Sequence, residues 1–207
     1  MFVFSNKQNG MTLVEAIIYV ALFTVIMFAL TTTVANLYRF NAYSLAQAYQ
    51  VQNARQGVET LIRDIREMTY GDDGAYPLVV FSVHELAFYS DVDRDDSVEY
   101  VTYELVASTT LTKRIYNPTS TATSSVVYNL SSPDETLILS EYVQNLIMGS
   151  SSFRYFGGNG NPVTATSSVT DVRFIQVDIV VNIDPIRNPG QFRLRSSATP
   201  RNLKDNL

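Results

Sequence analysis

The fold of this chain is decided by one short stretch near its start, Gly10-Met11-Thr12-Leu13-Val14-Glu15. This stretch leads directly into the apolar run of residues 16–30. One carboxylate therefore lies at the N-terminal end of a predicted helix that is long enough to cross a membrane. An acidic side chain within a membrane span costs roughly 2.5–3.5 kcal/mol on insertion scales, and such residues are usually functional. Glu15 is therefore the first candidate functional residue.

The apolar character persists to about residue 37, which gives the ~20 residues that a membrane span requires. Thr24 and the run Thr31-Thr32-Thr33 are compatible with a span, because threonine hydroxyls can bond to backbone carbonyls within a helix. Beyond the span, apolar residues recur at alternating spacings of three and four, which is one stripe on a helix. These residues are Val51, Ala54, Val58, Leu61, Ile65 and Met68.

The predicted helix therefore runs from Met11 to about Met68, ~58 residues or ~87 Å at the usual rise per residue. Gly57 lies inside it and weakens it by about 1 kcal/mol relative to Ala without ending it. The sequence Gly71-Asp72-Asp73-Gly74 ends the helix, because glycine-rich turns do not continue a helical pattern.

After Pro77 the pattern changes to period two, with many β-branched and aromatic residues. Strands are predicted at residues 78–83, 86–90, 99–106, 110–116, 126–130, 153–156, 173–183 and 191–196. Residues 135–148 suit a short strand followed by a helical turn. The strand at 173–183 is the clearest, because Ile175, Val177 and Ile179 point one way while Asp178 and Asn182 point the other. An α+β fold follows, with an antiparallel sheet packed on the helix.

The motif that ends in Glu15 resembles the N-terminal signal of type IV prepilins and pseudopilins. In that family a short leader ends in Gly and is followed by an apolar residue, Thr, Leu, Val or Ile, and Glu. The resemblance implies that a prepilin peptidase cleaves between Gly10 and Met11 and methylates the new amino terminus of Met11. The rest of the motif is Thr12, Leu13 and Val14. Met11 departs from the Phe that is most frequent at its position.

The family resemblance also implies a type IV pilin-like fold and a role for Glu15. The carboxylate would pair with the methylated amine of a neighbouring subunit during assembly. The implied layout is a leader at residues 1–10, a hydrophobic helix at 11–37, its amphipathic continuation at 38–70 and an extracytoplasmic β domain at 71–207. The alternatives are an ordinary secretory signal peptide and a plain anchor. The segment after the apolar core, residues 31–36, offers a poor small-residue cleavage site, and neither alternative requires Glu15.

The implied location is the cytoplasmic membrane, crossed once with the N-terminus inside and the β domain outside, and afterwards a pilus or pseudopilus. The implied partners are a prepilin peptidase, other pilin or pseudopilin subunits, an assembly-platform membrane protein and the lipid bilayer. The predicted helix also lacks the Pro that many major pilins carry, which favours a minor subunit.

Three further features look like those of J-type minor pseudopilins of type II secretion. They are the size of the β domain, the paired strands at residues 85–89 and 99–105 with Leu111-Thr112-Lys113-Arg114 after them, and the basic ending that starts at Phe192-Arg193-Leu194-Arg195. Three functional classes stay open: a minor pseudopilin at a filament tip, a major or adhesive pilin, and a membrane-anchored binding domain that uses the pilin export route.

Composition excludes several kinds of site. The net charge is −5, and nucleic-acid binding is not expected because it needs clustered Lys and Arg. The chain has no cysteine, which excludes disulfides, thiolate nucleophiles and cysteine-based zinc sites. His84 is the single histidine and lies in a strand pattern, so neither a metal centre nor a catalytic triad is predicted. We expect a structural protein rather than an enzyme, with no required cofactor.

An acidic loop at residues 91–99 separates two predicted strands. Its carboxylates alternate at Asp91, Asp93 and Asp95, as at the beginning of an EF-hand, and could converge on calcium. Asp96 replaces the usual turn Gly, and Thr102 replaces the bidentate Glu of that motif. The alternative is an acidic hairpin turn that keeps two tyrosine-rich strands soluble. Some pseudopilins hold calcium in a loop, so the family resemblance adds support to the ion, but the acidic hairpin turn is the preferred interpretation.

Overall fold

The computed structural model describes residues 10–120, 126–164, 168–186 and 190–201. These residues form one long helix, α1, and a series of short strands. The chain divides into two compact units, Met1–Ala46 and Gln47–Leu207. The helix α1 spans Leu13–Arg66, so it supplies nearly all of the described part of the first unit and the first element of the second.

In the first unit α1 is apolar and exposed. It contains a stretch long and apolar enough to cross a membrane, and none of that stretch is buried. The hydroxyls of Thr24, Thr31 and Thr33 donate to the carbonyl oxygens four residues earlier, at 2.7–2.8 Å. These bonds give the threonines partners within the helix itself, as the sequence predicts, so they do not oppose burial in lipid.

In the second unit α1 buries the predicted stripe. Ala54, Val58, Leu61 and Ile65 are buried, and Val51 is half-buried. The helix ends at Arg66, two residues before the predicted end, while Met68 is fully buried and forms an isolated bridge with Ser90. The stripe is therefore the part of the helix that docks onto the β domain.

The β domain contains three antiparallel sheets in its described residues. Its strands are β1 Leu78–Phe81, β2 Glu85–Ser90, β3 Glu99–Val106, β4 Thr110–Tyr116, β5 Pro118–Ser120, β6 Val126–Tyr128, β7 Glu135–Ser140, β8 Phe153–Phe156, β9 Pro162–Val163, β10 Phe174–Val181 and β11 Phe192–Ala198. The sheet orders are β1-β2-β3-β4-β7, β11-β10-β8-β9 and the hairpin β5-β6. The α+β prediction is confirmed, although the chain builds two large sheets instead of one.

Both large sheets contribute to the core that covers the helix stripe. The first sheet supplies Phe88 and Tyr103, whose rings stack at 5.8 Å, and the second supplies the predicted inward residues of β10. Those residues are Ile175, Val177, Ile179 and Val181, all fully buried. One helix face therefore holds two sheets together.

A second cluster lies outside this core. Tyr89, Tyr100 and Tyr116 occupy directly opposed positions on β2, β3 and β4, and Tyr128 of β6 packs against the first two. Burial raises the pKa of Tyr100 to about 12. The hairpin β5-β6 thus contributes to a second aromatic cluster, in a region where the sequence predicts only one strand, at residues 126–130.

The outward face of β10 is buried as well. Asp178 points away from the core as predicted but is bound by Arg193 and Arg195 of β11, with contacts of 2.6–3.1 Å. Burial alone would raise the pKa of Asp178, but the hydrogen bonds from the two guanidinium groups outweigh it and hold that pKa below its ordinary value. The predicted alternation of β10 is therefore correct, and Asp178 on its polar side is buried beneath the arginines of β11.

Candidate functional site

The N-terminal motif lies at the start of α1. Gly10 to Thr12 are outside the helix, and the backbone N–H of Glu15 donates to Thr12 Oγ1 at 3.3 Å. This contact is one half of a capping box, in which Ser or Thr caps the helix and a Glu three residues later faces back toward it. The Glu15 carboxylate also lies in the first turn, where the helix dipole stabilises negative charge.

The peptide bond after Gly10 is placed in an accessible segment. Gly10 and Met11 are both exposed, and apart from the neighbouring residues in the chain no described atom lies within 4 Å of a Cβ built on Gly10. Gly10 to Thr12 form an accessible segment directly before an apolar helix that begins with a threonine cap.

A family model for the prokaryotic N-terminal methylation motif matches residues 5–31. This match supports a relationship between the chain and the type IV pilin-like family. It implies processing by a prepilin peptidase and assembly with other pilin-like subunits, and it indicates a structural subunit rather than an enzyme. The apolar helix is consistent with membrane anchoring. No curated protein is significantly similar to this chain.

The acidic loop brings its three predicted residues together. Ligand oxygens of Asp91, Asp93, Asp95 and Glu99 all lie within 4.8 Å of one another. Glu99 is the member that sequence reasoning missed, although its place two residues after Ser97 continues the alternation of oxygen-bearing side chains that begins at Asp91.

The carboxylates of the loop already accept hydrogen bonds from the loop itself. Asp91 Oδ1 accepts the N–H of Arg94 at 2.7 Å, and Asp95 Oδ1 accepts the N–H and hydroxyl of Ser97 at 2.9 and 2.5 Å. The Ser97 contacts lower the pKa of Asp95. A self-bonded turn of this kind is the arrangement that the hairpin alternative predicts.

Glu99 differs from the aspartates because it is buried, with 1% of its surface exposed. Its Oε2 accepts the N–H of Val92 at 2.8 Å and its Oε1 accepts the hydroxyl of Ser97 at 3.1 Å. Burial raises the pKa of Glu99 in spite of these bonds. A buried carboxylate beside three others is the group in this loop whose charge is least compensated.

The backbone of the loop also resembles the start of an EF-hand. Asp96 stands where that motif has its turn Gly, and it adopts a left-handed conformation with φ 70°. Thr102, at the position of the bidentate Glu, instead lies within β3 with its hydroxyl buried and no partner in the described residues. The loop thus has the first half of the motif and lacks the second.

His84 lies between β1 and β2 and contacts Ser152, with 3.2 Å between Nδ1 and Oγ. Burial lowers the pKa of His84. Ser152 is itself fully buried, so its hydroxyl is inaccessible to a substrate in this structure. The pair joins the β1-β2 turn to the start of β8, which agrees with the structural role predicted for this histidine.

A buried polar group that sequence reasoning missed lies between α1 and the first sheet. Asp64 accepts a hydrogen bond from Tyr103 Oη at 2.5 Å and one from Lys113 Nζ at 2.6 Å. The side chains of Asp64 and Lys113 are 1% and 5% exposed. Asp64 falls three residues after Leu61 on the apolar stripe, and this spacing is the sequence feature that could have revealed its burial.

Proposed function

We propose that the chain is a minor pilin-like subunit of a type II secretion pseudopilus or a type IV pilus, placed at the tip or in the complex that starts assembly. The observation that carries the proposal is the methylation motif at residues 5–31, which runs directly into the exposed apolar part of α1. The absence of Pro from that helix and the J-type features of the β domain favour a minor subunit.

The proposed mechanism is assembly through the helix. Prepilin peptidase cleaves after Gly10, and the new amine of Met11 is methylated. The Glu15 carboxylate then pairs with the amine of a neighbouring subunit, because each charge alone is penalised in lipid and pairing relieves the penalty. An assembly-platform membrane protein and the bilayer complete the set of partners.

Two other functions remain compatible with the same motif. A major or adhesive pilin would dominate the mass of a purified filament, whereas a minor subunit would be present in few copies. A membrane-anchored binding domain would be processed in the same way but would not enter a filament at all. Subunit counting in purified filaments separates the three.

The experiment that tests the assembly role compares Glu15→Ala with Glu15→Gln in cells that process and assemble the chain. We expect both variants to be cleaved after Gly10 and both to enter the filament poorly, because neither carries the charge that pairs with the amine. Incorporation is measured by immunoblot of sheared filaments, and cleavage by the mass of the N-terminus.

The Gln variant is the matched control for the helix cap. Glutamine retains the capping-box chemistry with Thr12 but has no charge. Normal incorporation of Glu15→Gln with poor incorporation of Glu15→Ala would assign Glu15 to helix capping. Normal incorporation of both variants would contradict any assembly role for this residue.

Calcium binding by the acidic loop stays a prediction. The convergence of Asp91, Asp93, Asp95 and Glu99 and the left-handed Asp96 support it. The internal hydrogen bonds of the loop support the alternative, a self-bonded acidic turn. A calcium ion would neutralise the buried charge of Glu99 and stiffen the connection between β2 and β3.

A further inference from the structure

A buried lysine and a buried aspartate meet where α1 packs on the first sheet. Asp64 lies on the helix, and Lys113 lies in β4 between Leu111 and Ile115, whose side chains are also buried. The Lys113 Nζ atom is 2.6 Å from Asp64 Oδ2, and the two side chains are 5% and 1% exposed. An amine and a carboxyl group, which can react with one another, are therefore held in contact inside the β domain.

The surroundings of Lys113 are poorly suited to an ammonium ion. An ammonium group has three N–H donors, and Asp64 is the one acceptor that Lys113 Nζ contacts in the described part of the chain. The centroid of the Tyr103 ring lies 5.9 Å from Nζ, and Tyr103 belongs to the hydrophobic core. Burying charged groups is costly unless their hydrogen bonds are satisfied. Conversion of the ion pair to a neutral product would relieve this cost.

The two carboxylate oxygens of Asp64 have different neighbours. Oδ2 accepts a hydrogen bond from Tyr103 Oη at 2.5 Å as well as the one from Lys113, whereas Oδ1 lies 3.4 Å from Arg63 Nε. Burial, and then the nearby charge of Asp64, raise the pKa of Tyr103 well above its ordinary value, so its phenol keeps its proton and remains a donor. One oxygen therefore lies between two proton donors and the other beside a fixed positive charge.

The distances also suit attack by the amine on the carboxyl carbon. Because a C–O bond is about 1.23 Å long, Asp64 Cγ lies at most about 3.8 Å from Lys113 Nζ. Reacting atoms held at about 3–3.5 Å in a fixed orientation reach effective molarities of ~10⁵–10⁸ M. The pair is close to this separation without any movement of the backbone.

We propose that Lys113 and Asp64 become joined by an intramolecular amide bond between Nζ and Cγ. A proton first passes from the Lys113 ammonium group to Asp64 Oδ2, which leaves a neutral amine and a neutral carboxyl group. Nζ then bonds to Cγ and the Cγ–Oδ2 bond breaks. Oδ2 departs as water with the transferred proton and a second proton from Nζ, and Oδ1 becomes the amide oxygen. The step consumes no oxidant, reductant or other reactant.

Tyr103 and Arg63 assist different atoms in this step. The Tyr103 hydroxyl donates to Oδ2, the oxygen that leaves as water. The Arg63 guanidinium lies beside Oδ1, where negative charge develops in the tetrahedral intermediate, and a fixed positive charge at that point stabilises it. Bulk water has little access to the buried pair, so hydrolysis of the finished amide is disfavoured.

The amide bond would tie α1 covalently to β4. It joins residues that are 49 positions apart in sequence. A cross-link of this kind stabilises a fold mainly by constraining the unfolded chain, as a disulfide does, and this chain has no cysteine with which to form a disulfide. The inference concerns the chemistry of the β domain and is independent of the proposed assembly role.

Mass spectrometry of the full-length chain, purified in detergent and then denatured, tests the bond. We expect an intact mass that is lower than the sequence mass by one water molecule, after allowance for N-terminal processing. Trypsin should give a branched peptide in which residues 64–66 are joined to residues 95–114, because an acylated Lys113 is no longer cleaved. A chain that has lost no water, or has lost it at other residues, would overturn the proposal.

Two variants test the roles of the side chains. Lys113→Arg keeps a positive charge beside Asp64 but has no amine, so we expect the full sequence mass and a lower melting temperature. Tyr103→Phe removes the donor to Oδ2, so a smaller fraction of the chain should be linked at equal times after synthesis. Water loss in Lys113→Arg, or linkage of Tyr103→Phe at the wild-type rate, would contradict these roles. The wild-type mass decides the central question even where a variant fails to fold.

Discussion

At the scale of single residues, two buried side-chain amides hold the far end of β10. Asn145 Oδ1 accepts the N–H of Val180 at 2.8 Å, and its Nδ2 donates to the carbonyl of Asp178 at 2.7 Å. On the opposite edge, Gln47 Oε1 accepts the N–H of Ile183 at 3.0 Å, and Gln47 Nε2 donates to Val181. Each side-chain amide therefore makes the pair of hydrogen bonds that a peptide group of a neighbouring strand would otherwise make to this part of the chain.

The substitution Asn145→Ala should destabilise the β domain by about 2–4 kcal/mol, because it leaves two buried backbone groups of β10 without partners. The measurement is chemical denaturation of the full chain. Asn159→Ala, at an exposed turn, is the control and should change the free energy of unfolding by less than about 1 kcal/mol. Equal stability of the two variants would contradict the role assigned to Asn145.

Glu99 allows the two interpretations of the acidic loop to be separated. Because burial raises its pKa, the folded state prefers the protonated form, and this contribution to stability is lost as pH rises through that pKa. Without calcium, Glu99→Gln should therefore be more stable than the wild type at neutral pH and equally stable in acid. The Gln amide oxygen can accept the Val92 N–H, and its NH2 group can donate to Ser97 Oγ in place of the bond that Glu99 accepts from that hydroxyl.

Calcium titration of the wild type and of Glu99→Gln then decides between the ion and the turn. If calcium raises the melting temperature of the wild type much more than that of Glu99→Gln, the result supports the ion site. A wild-type melting temperature that does not change with calcium removes the ion and leaves the self-bonded turn.

At the scale of the elements, the close approach of α1 to β7 depends on Gly57. A Cβ at this position would lie 2.9 Å from Leu139 Cβ and 3.0 Å from the Leu139 carbonyl oxygen. Sequence reasoning treated Gly57 only as a weak point of the helix. Its position in the structure shows that the missing side chain makes room for a strand.

The substitution Gly57→Ala should lower the melting temperature. Alanine would favour the helix by about 1 kcal/mol, but its methyl group would meet a backbone atom that cannot rotate away, and overpacking of this kind typically costs ~1–3 kcal/mol. Gln56→Ala, on the exposed neighbouring position, is the control and should leave the melting temperature nearly unchanged. A more stable Gly57→Ala variant would contradict the contact.

The long elements could be predicted from sequence and the short ones could not. The bounds of β3, β4 and β8 match their predictions, because period-two patterns over four or more residues are distinctive. The strands β5 and β9 have three and two residues, and each contains a proline. Segments this short show no recognisable alternation of apolar and polar residues, so the sequence does not predict them. The division into two sheets depends on contacts between distant residues, which a local pattern does not encode.

The candidate sites show the same difference between features formed by residues close in sequence and features formed by distant residues. The N-terminal motif and the three aspartates of the acidic loop are visible in sequence because their residues are adjacent. The group formed by Asp64, Tyr103 and Lys113 joins three separate elements, and only the spacing of Asp64 on the helix stripe hints at it. Contacts across the fold are what sequence reasoning lacked.

At the scale of the whole molecule, the two units carry different chemistry. The first, Met1–Ala46, contains the match to the N-terminal methylation motif and the exposed apolar part of α1. The second, Gln47–Leu207, has the core, the acidic loop and the sheet edges. The central claim is that the first unit is processed as a prepilin, and every further statement about assembly depends on it.

Mass spectrometry of the mature N-terminus, on chain purified from cells that carry its processing machinery, tests this claim most directly. We predict a chain that begins at Met11 with a methylated amine, and Gly10→Ala, which alters the residue before the cut, should reduce the yield of that species. An N-terminus that begins at Met1, or one created by cleavage after the apolar run, would contradict the prepilin account.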